Sequence, residues 1–163
     1  MKNLKKIVVL LMCVSMMALC AACSSNADMT FMDCESMDDA YLQTEFWLDA
    51  PQEINGYGER DINVSKNKKA IQVLYQATEG DDQLTLYKAK GKFTPDSAAE
   101  TYEEESTITP FGIDVTTKGD DGKINLATWS EDGFTFSAKS TNGVTEGQMT
   151  ELVVFMNGDS FGC

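Results

Sequence analysis

From residue 58 onward the apolar side chains recur at every second position. Ile62 and Val64, then Ile71, Val73 and Tyr75, then Leu84 and Leu86 alternate with polar neighbours. A period of two is the spacing at which side chains share one face of a strand, so three antiparallel strands are predicted. Lys66-Asn67-Lys68 and Glu79-Gly80-Asp81-Asp82 supply turns of hairpin length between them. The alternation returns with Ile113 and Val115, Ile124 and Leu126, and Phe134 and Phe136, separated by Asp120-Asp121-Gly122 and Asp132-Gly133. A second three-stranded meander is predicted there.

Helical spacing brackets the strands. Ser36-Met37-Asp38-Asp39 has the form of a capping box and opens a first helix over residues 36–49, with Leu42 and Phe46 one turn apart and Pro51 as its stop. Thr145-Glu146-Gly147-Gln148 is a second capping box, after which Met149, Leu152, Val153 and Met156 fall at i, i+3, i+4 and i+7. Thr94-Pro95-Asp96 pairs an N-cap residue with a proline at the first helical position and marks a short acidic helix or loop. The pattern as a whole predicts an α+β fold: an antiparallel sheet of about six strands in two meanders, with an N-terminal and a C-terminal helix packed on one face.

The start of the chain has a different character. Lys2, Lys5 and Lys6 precede an apolar run over residues 7–19, and small residues then lead to Cys23. That order is the one found in secretory signals, and the run is too short to span a bilayer. Leu19-Cys20-Ala21-Ala22-Cys23 resembles a bacterial lipobox, with Cys20 standing where that pattern usually has leucine. The resemblance implies residues 1–22 as a signal peptide, Cys23 as the lipidated N-terminus of an exported protein on the outer face of the cell membrane, and palmitate among its acyl groups. Residues 23–32 read as a tether of at most ~35 Å, and residues 33–163 as one α+β domain.

Removing 22 residues from 163 leaves 141, enough for one core and short for two. All 26 acidic residues but only ten of the 13 basic ones follow the signal, giving a formal charge of −16. Such a surface repels nucleic acid and favours cations, basic partners or plain solubility. Of five cysteines, Cys34 and Cys163 are left after processing and lipidation. Export permits a disulfide between them, which would constrain the unfolded chain by up to ~4–5 kcal/mol.

Histidine is absent. This excludes Ser-His-Asp and Cys-His catalysis and histidine-ligated zinc. Asp81-Asp82, Glu103-Glu104-Glu105 and Asp120-Asp121 match no calcium-loop spacing, and no metal or cofactor is expected. Gly56-Tyr57-Gly58 lacks the third glycine of a dinucleotide-binding loop and reads as a turn. In a regular strand Trp129 lies opposite Leu126 and Ile124, which places it on the uncovered sheet face with Tyr87 and Thr135 as a candidate groove. Core packing is the simpler expectation for Trp129 and Trp47 alike.

Tyr57-Gly58-Glu59-Arg60, Tyr87-Lys88-Ala89-Lys90-Gly91, the run from Gly119-Asp120-Asp121-Gly122 to Ala127-Thr128-Trp129, and Gly133-Phe134-Thr135-Phe136 together resemble small lipoproteins of Gram-positive anaerobes of the domain-of-unknown-function 4367 type. The shared motifs are structural, and the resemblance implies fold and location without an activity. The tail ending in Cys163 lies outside it. The first functional expectation is a non-enzymatic, membrane-tethered module that binds an extracytoplasmic protein or peptide. A lipid carrier with an apolar cavity lined by Phe134, Phe136 and Met149, and a carboxylate-based cell-wall hydrolase, are the alternatives.

Overall fold

A computed structural model describes residues 29–93 and 100–158. The signal segment, Cys23, Cys163 and the Thr94-Pro95-Asp96 segment lie outside the described residues.

The strands form one antiparallel sheet of eight, correcting the expected six. They are β1 (Phe31–Cys34), β2 (Tyr57–Ser65), β3 (Ala70–Ala77), β4 (Gln83–Lys90), β5 (Glu104–Ile108), β6 (Val115–Gly119), β7 (Ile124–Glu131) and β8 (Phe134–Val144). Their spatial order is β1-β2-β3-β4-β8-β7-β6-β5. Two four-stranded meanders thus join where β4 meets β8, with Leu86 opposite Ala138 and Lys88 opposite Phe136. The expected turns hold: Asp121 and Gly122, like Asp132 and Gly133, all have positive φ, the conformation that right-twisted hairpins favour. Among the described residues two α-helices complete the fold, α1 (Met37–Thr44) and α2 (Glu146–Met156), and neither is long and apolar enough to cross a membrane.

Both helices pack on one face of the sheet. Ala40 of α1, Phe46 and Leu48 after it, and Met149, Leu152, Val153 and Met156 of α2 enclose a core with Val64, Val73, Tyr75, Leu86, Trp129 and Phe136. The α2 capping box forms in full: the Thr145 hydroxyl accepts from the Gln148 amide, and the Gln148 side chain accepts from the Thr145 N–H. Ser36 caps α1 by accepting from the Asp39 amide at 3.1 Å. That helix ends at Thr44, five residues early, because Glu45 turns left-handed with φ 67°. Phe46 and Leu48 therefore reach the core from a loop, and Leu42 is left 76% exposed.

Trp129 is on the covered face, in line with core packing and against its candidate place in an open-face groove. Between Ile124 and Leu126 the partner on β8 jumps from Val144 to Lys139, an irregularity that reverses the inward and outward parity of β7. Leu126 consequently pairs laterally with Lys139 and Lys118 on the far face, and Ala127 and Trp129 point to the helices. Trp129 is 3% exposed and stacks on Phe136 with ring centroids 5.2 Å apart.

Candidate binding cleft

Tyr87 and Thr135 do share the face opposite the helices, as expected, but Thr135 is buried and its hydroxyl is engaged. It donates to the Gly91 carbonyl at 2.7 Å and accepts from the Phe93 amide. The Tyr87 ring is flanked by Phe31 and Phe93, with centroids 5.7 and 6.0 Å away, and its hydroxyl accepts from the Gln72 amide. Further along the same face Lys139 meets Glu100 at 2.6 Å. The connection between β4 and β5 is thus anchored over this face at both of its described ends. With Trp129 in the core, the expected three-residue groove does not assemble.

Phe136 and Met149 are closed into the core and Phe134 packs at its margin against Phe46, so the cavity a lipid carrier requires is not formed by these three. Cys34 ends β1, where its thiol donates to the Ser36 carbonyl and accepts from the Gln43 amide. Among the described residues no three Cys, Asp or Glu side chains converge as a metal site.

A different cavity opens between α2 and the loop after α1. Residues 148, 151, 152 and 155 are spaced at i, i+3, i+4 and i+7, so Gln148, Glu151, Leu152 and Phe155 form a second stripe on α2 beside the core stripe. Facing it are Pro51, Glu53, Ile54, Asn55 and Tyr57, with Leu84 and Val144 from the sheet. The cleft measures about 420 Å³ and is half enclosed. A wider depression of about 950 Å³ lies along residues 52–60, lined by consecutive residues without a second element to close it.

The loop wall is fixed from behind. The Tyr75 hydroxyl donates to the Pro51 carbonyl at 2.5 Å, and Arg60 donates to the Ala50 and Pro51 carbonyls at 2.8 and 3.1 Å. At the sheet end, the Tyr57 hydroxyl donates to Asp82 at 2.5 Å, and Asp82 also accepts from the Asn142 amide and the Ser140 hydroxyl. Burial and the neighbouring carboxylate push the Tyr57 phenol up to about 12. Partial burial acts to raise the Asp82 carboxyl, but the hydrogen bonds from Tyr57, Asn142, Ser140 and Gln83 outweigh it and hold the group below its ordinary range.

The cleft combines an apolar floor with a polar rim. The floor is apolar, with Leu84, Ile54, Val144 and Leu152, and the rim carries Asn55, Gln148 and the exposed ring of Phe155. Asp82 and Glu100 are both held low, Glu100 by hydrogen bonds from Lys139 and Tyr102. A glycosidase acid needs the opposite shift. Sequence reading missed the cleft, although Phe155 gave a signal: it is an apolar residue off the core stripe of its helix. Comparison with protein families, curated proteins and solved structures returns no match.

Proposed function

We propose that this is an exported lipoprotein, held at the membrane by a lipid on Cys23, whose domain is a non-enzymatic module that binds an extracytoplasmic protein or peptide. The observation that carries the reading is the apolar cleft of about 420 Å³ between α2 and residues 51–57, a size and lining typical of pockets that take small ligands or side chains. Its walls are braced by hydrogen bonds, so the site is formed before any partner arrives. Likeness to lipoproteins of the domain-of-unknown-function 4367 type belongs to the same proposal.

Mass spectrometry of the protein recovered from membranes of its host reads the anchor: an acylated Cys23 is expected, and an unmodified, freely secreted chain overturns it. A photo-crosslinking amino acid at position 155, compared with one at position 42 on α1, which is more exposed still, reads the module. A discrete adduct from position 155 alone supports it. Adducts from both positions, or from neither, count against it.

A further inference from the structure

We propose that the occupant of the cleft is a peptide segment that sets an apolar side chain beside a lysine or arginine; the inference rests on the binding-module reading above. The cleft offers such a segment two unlike surfaces. Leu84, Ile54, Val144, Leu152 and Phe155 supply apolar contact, and the charged residues that line the cleft, Glu53 and Glu151, are both acidic. Both glutamates are exposed at the rim, where a cationic group remains partly hydrated while its apolar neighbour is desolvated below, the arrangement lysine and arginine stems favour.

Neither salt bridge found among the described residues involves Glu53 or Glu151. Arg60, the cation nearest in sequence, is turned into the Ala50 and Pro51 carbonyls and braces the loop from behind. With residues 1–22 removed the chain carries a formal charge of −16, so its long-range field draws cationic segments toward the surface. The rim also suits a peptide backbone. Gln148 uses its side-chain oxygen to accept from Thr145, which directs the remaining N–H donors of its amide elsewhere, and Asn55 brings both a donor and an acceptor. Amide groups of that kind pair with main-chain N–H and C=O.

The test uses the lipidated protein, starting at Cys23, extracted from membranes, and three fluorescein-labelled pentapeptide amides, Leu-Lys-Phe-Lys-Leu and the same peptide with glutamine or glutamate replacing lysine, read by fluorescence anisotropy. The lysine peptide is expected to bind about tenfold more tightly than the glutamine peptide, the gain two exposed charge pairs provide, and the glutamate peptide more weakly still. In the double variant Glu53→Gln, Glu151→Gln the preference should fall to within about twofold, and Phe155→Ser should weaken the lysine and glutamine peptides together. Equal binding of those two peptides by the wild type overturns the charge inference and leaves the binding module standing. Lysine-peptide binding that survives all three substitutions means general attraction to an acidic surface and overturns it too. Absence of binding by any peptide, in protein with native circular dichroism, overturns the peptide inference, and the crosslinking comparison at positions 155 and 42 decides the binding module separately.

Discussion

The indole N–H of Trp129 donates to the side-chain oxygen of Asn157 at 3.2 Å, joining the middle of β7 to the cap of α2 inside the core. Both residues are buried. The contact fixes where the C-terminal helix ends relative to the sheet, and hence where its cleft-lining stripe sits. Trp129→Phe preserves an aromatic against Phe136 but leaves the Asn157 oxygen without its donor, at a cost of about 1–3 kcal/mol. Trp129→Ala adds a cavity and should cost about 3–5 kcal/mol. Urea denaturation of the two variants checks the order.

The Tyr57–Asp82 pair should give stability two pH-dependent edges. Asp82 titrates lower in the folded chain than in the unfolded one, so its contribution is present above the unfolded value and is lost as pH falls through the folded value. Tyr57 titrates higher when folded, so its contribution is present below 10.0 and is lost as pH rises toward about 12. Wild type minus Asp82→Ala should shrink in acid, and wild type minus Tyr57→Phe should shrink in alkali. Denaturant midpoints across both ranges measure this; parallel curves would refute it.

Gly119 closes β6 under the turn to β7, and a Cβ there would stand 1.8 Å from the Lys123 carbonyl oxygen. Backbone cannot yield as a flexible side chain does, so Gly119→Ala should cost at least about 2 kcal/mol by overpacking. Gly122, three residues on, has open space around it but φ +70°. Gly122→Ala should cost only the left-handed strain of about 1 kcal/mol. Equal losses in thermal melts would contradict this.

Phe155 is 47% exposed on α2. Phe155→Ser should therefore change stability by no more than about 0.5 kcal/mol while it weakens binding of the lysine and glutamine peptides together. A large fall in stability would assign Phe155 to the fold instead of the cleft.

What the sequence made legible follows from locality. The α2 capping box, its core stripe and the turns at Asp120-Asp121-Gly122 and Asp132-Gly133 depend on neighbours a few residues apart, and all appear as the pattern implies. Strand β5 escaped because Glu104-Glu105-Ser106-Thr107 has no apolar alternation; it is an edge strand held by β6, with Glu105 and Lys118 3.1 Å apart and the Ser106 and Thr117 hydroxyls in contact. Core packing of Trp129 held, and its alternative place in an open-face groove failed because one strand irregularity, invisible to a strict period of two, inverts the parity after it. The cleft draws on residues 51–57, 84 and 144–155, and no local period links segments so far apart.

The seam between β4 and β8 also dictates an order of assembly. Leu84 pairs with Ser140, and Lys90 with Phe134, so the central rung of the sheet waits for the last strand to be made. As synthesis proceeds from the N-terminus, β1 to β4 can pair with one another while β4 keeps a full row of unsatisfied amides and carbonyls. An unfinished chain of this kind is a template for another chain's strand. The interval before β8 arrives is its window of vulnerability to aggregation, and that window closes when β8, already paired with β7 through the turn at Asp132-Gly133, docks its other edge on β4.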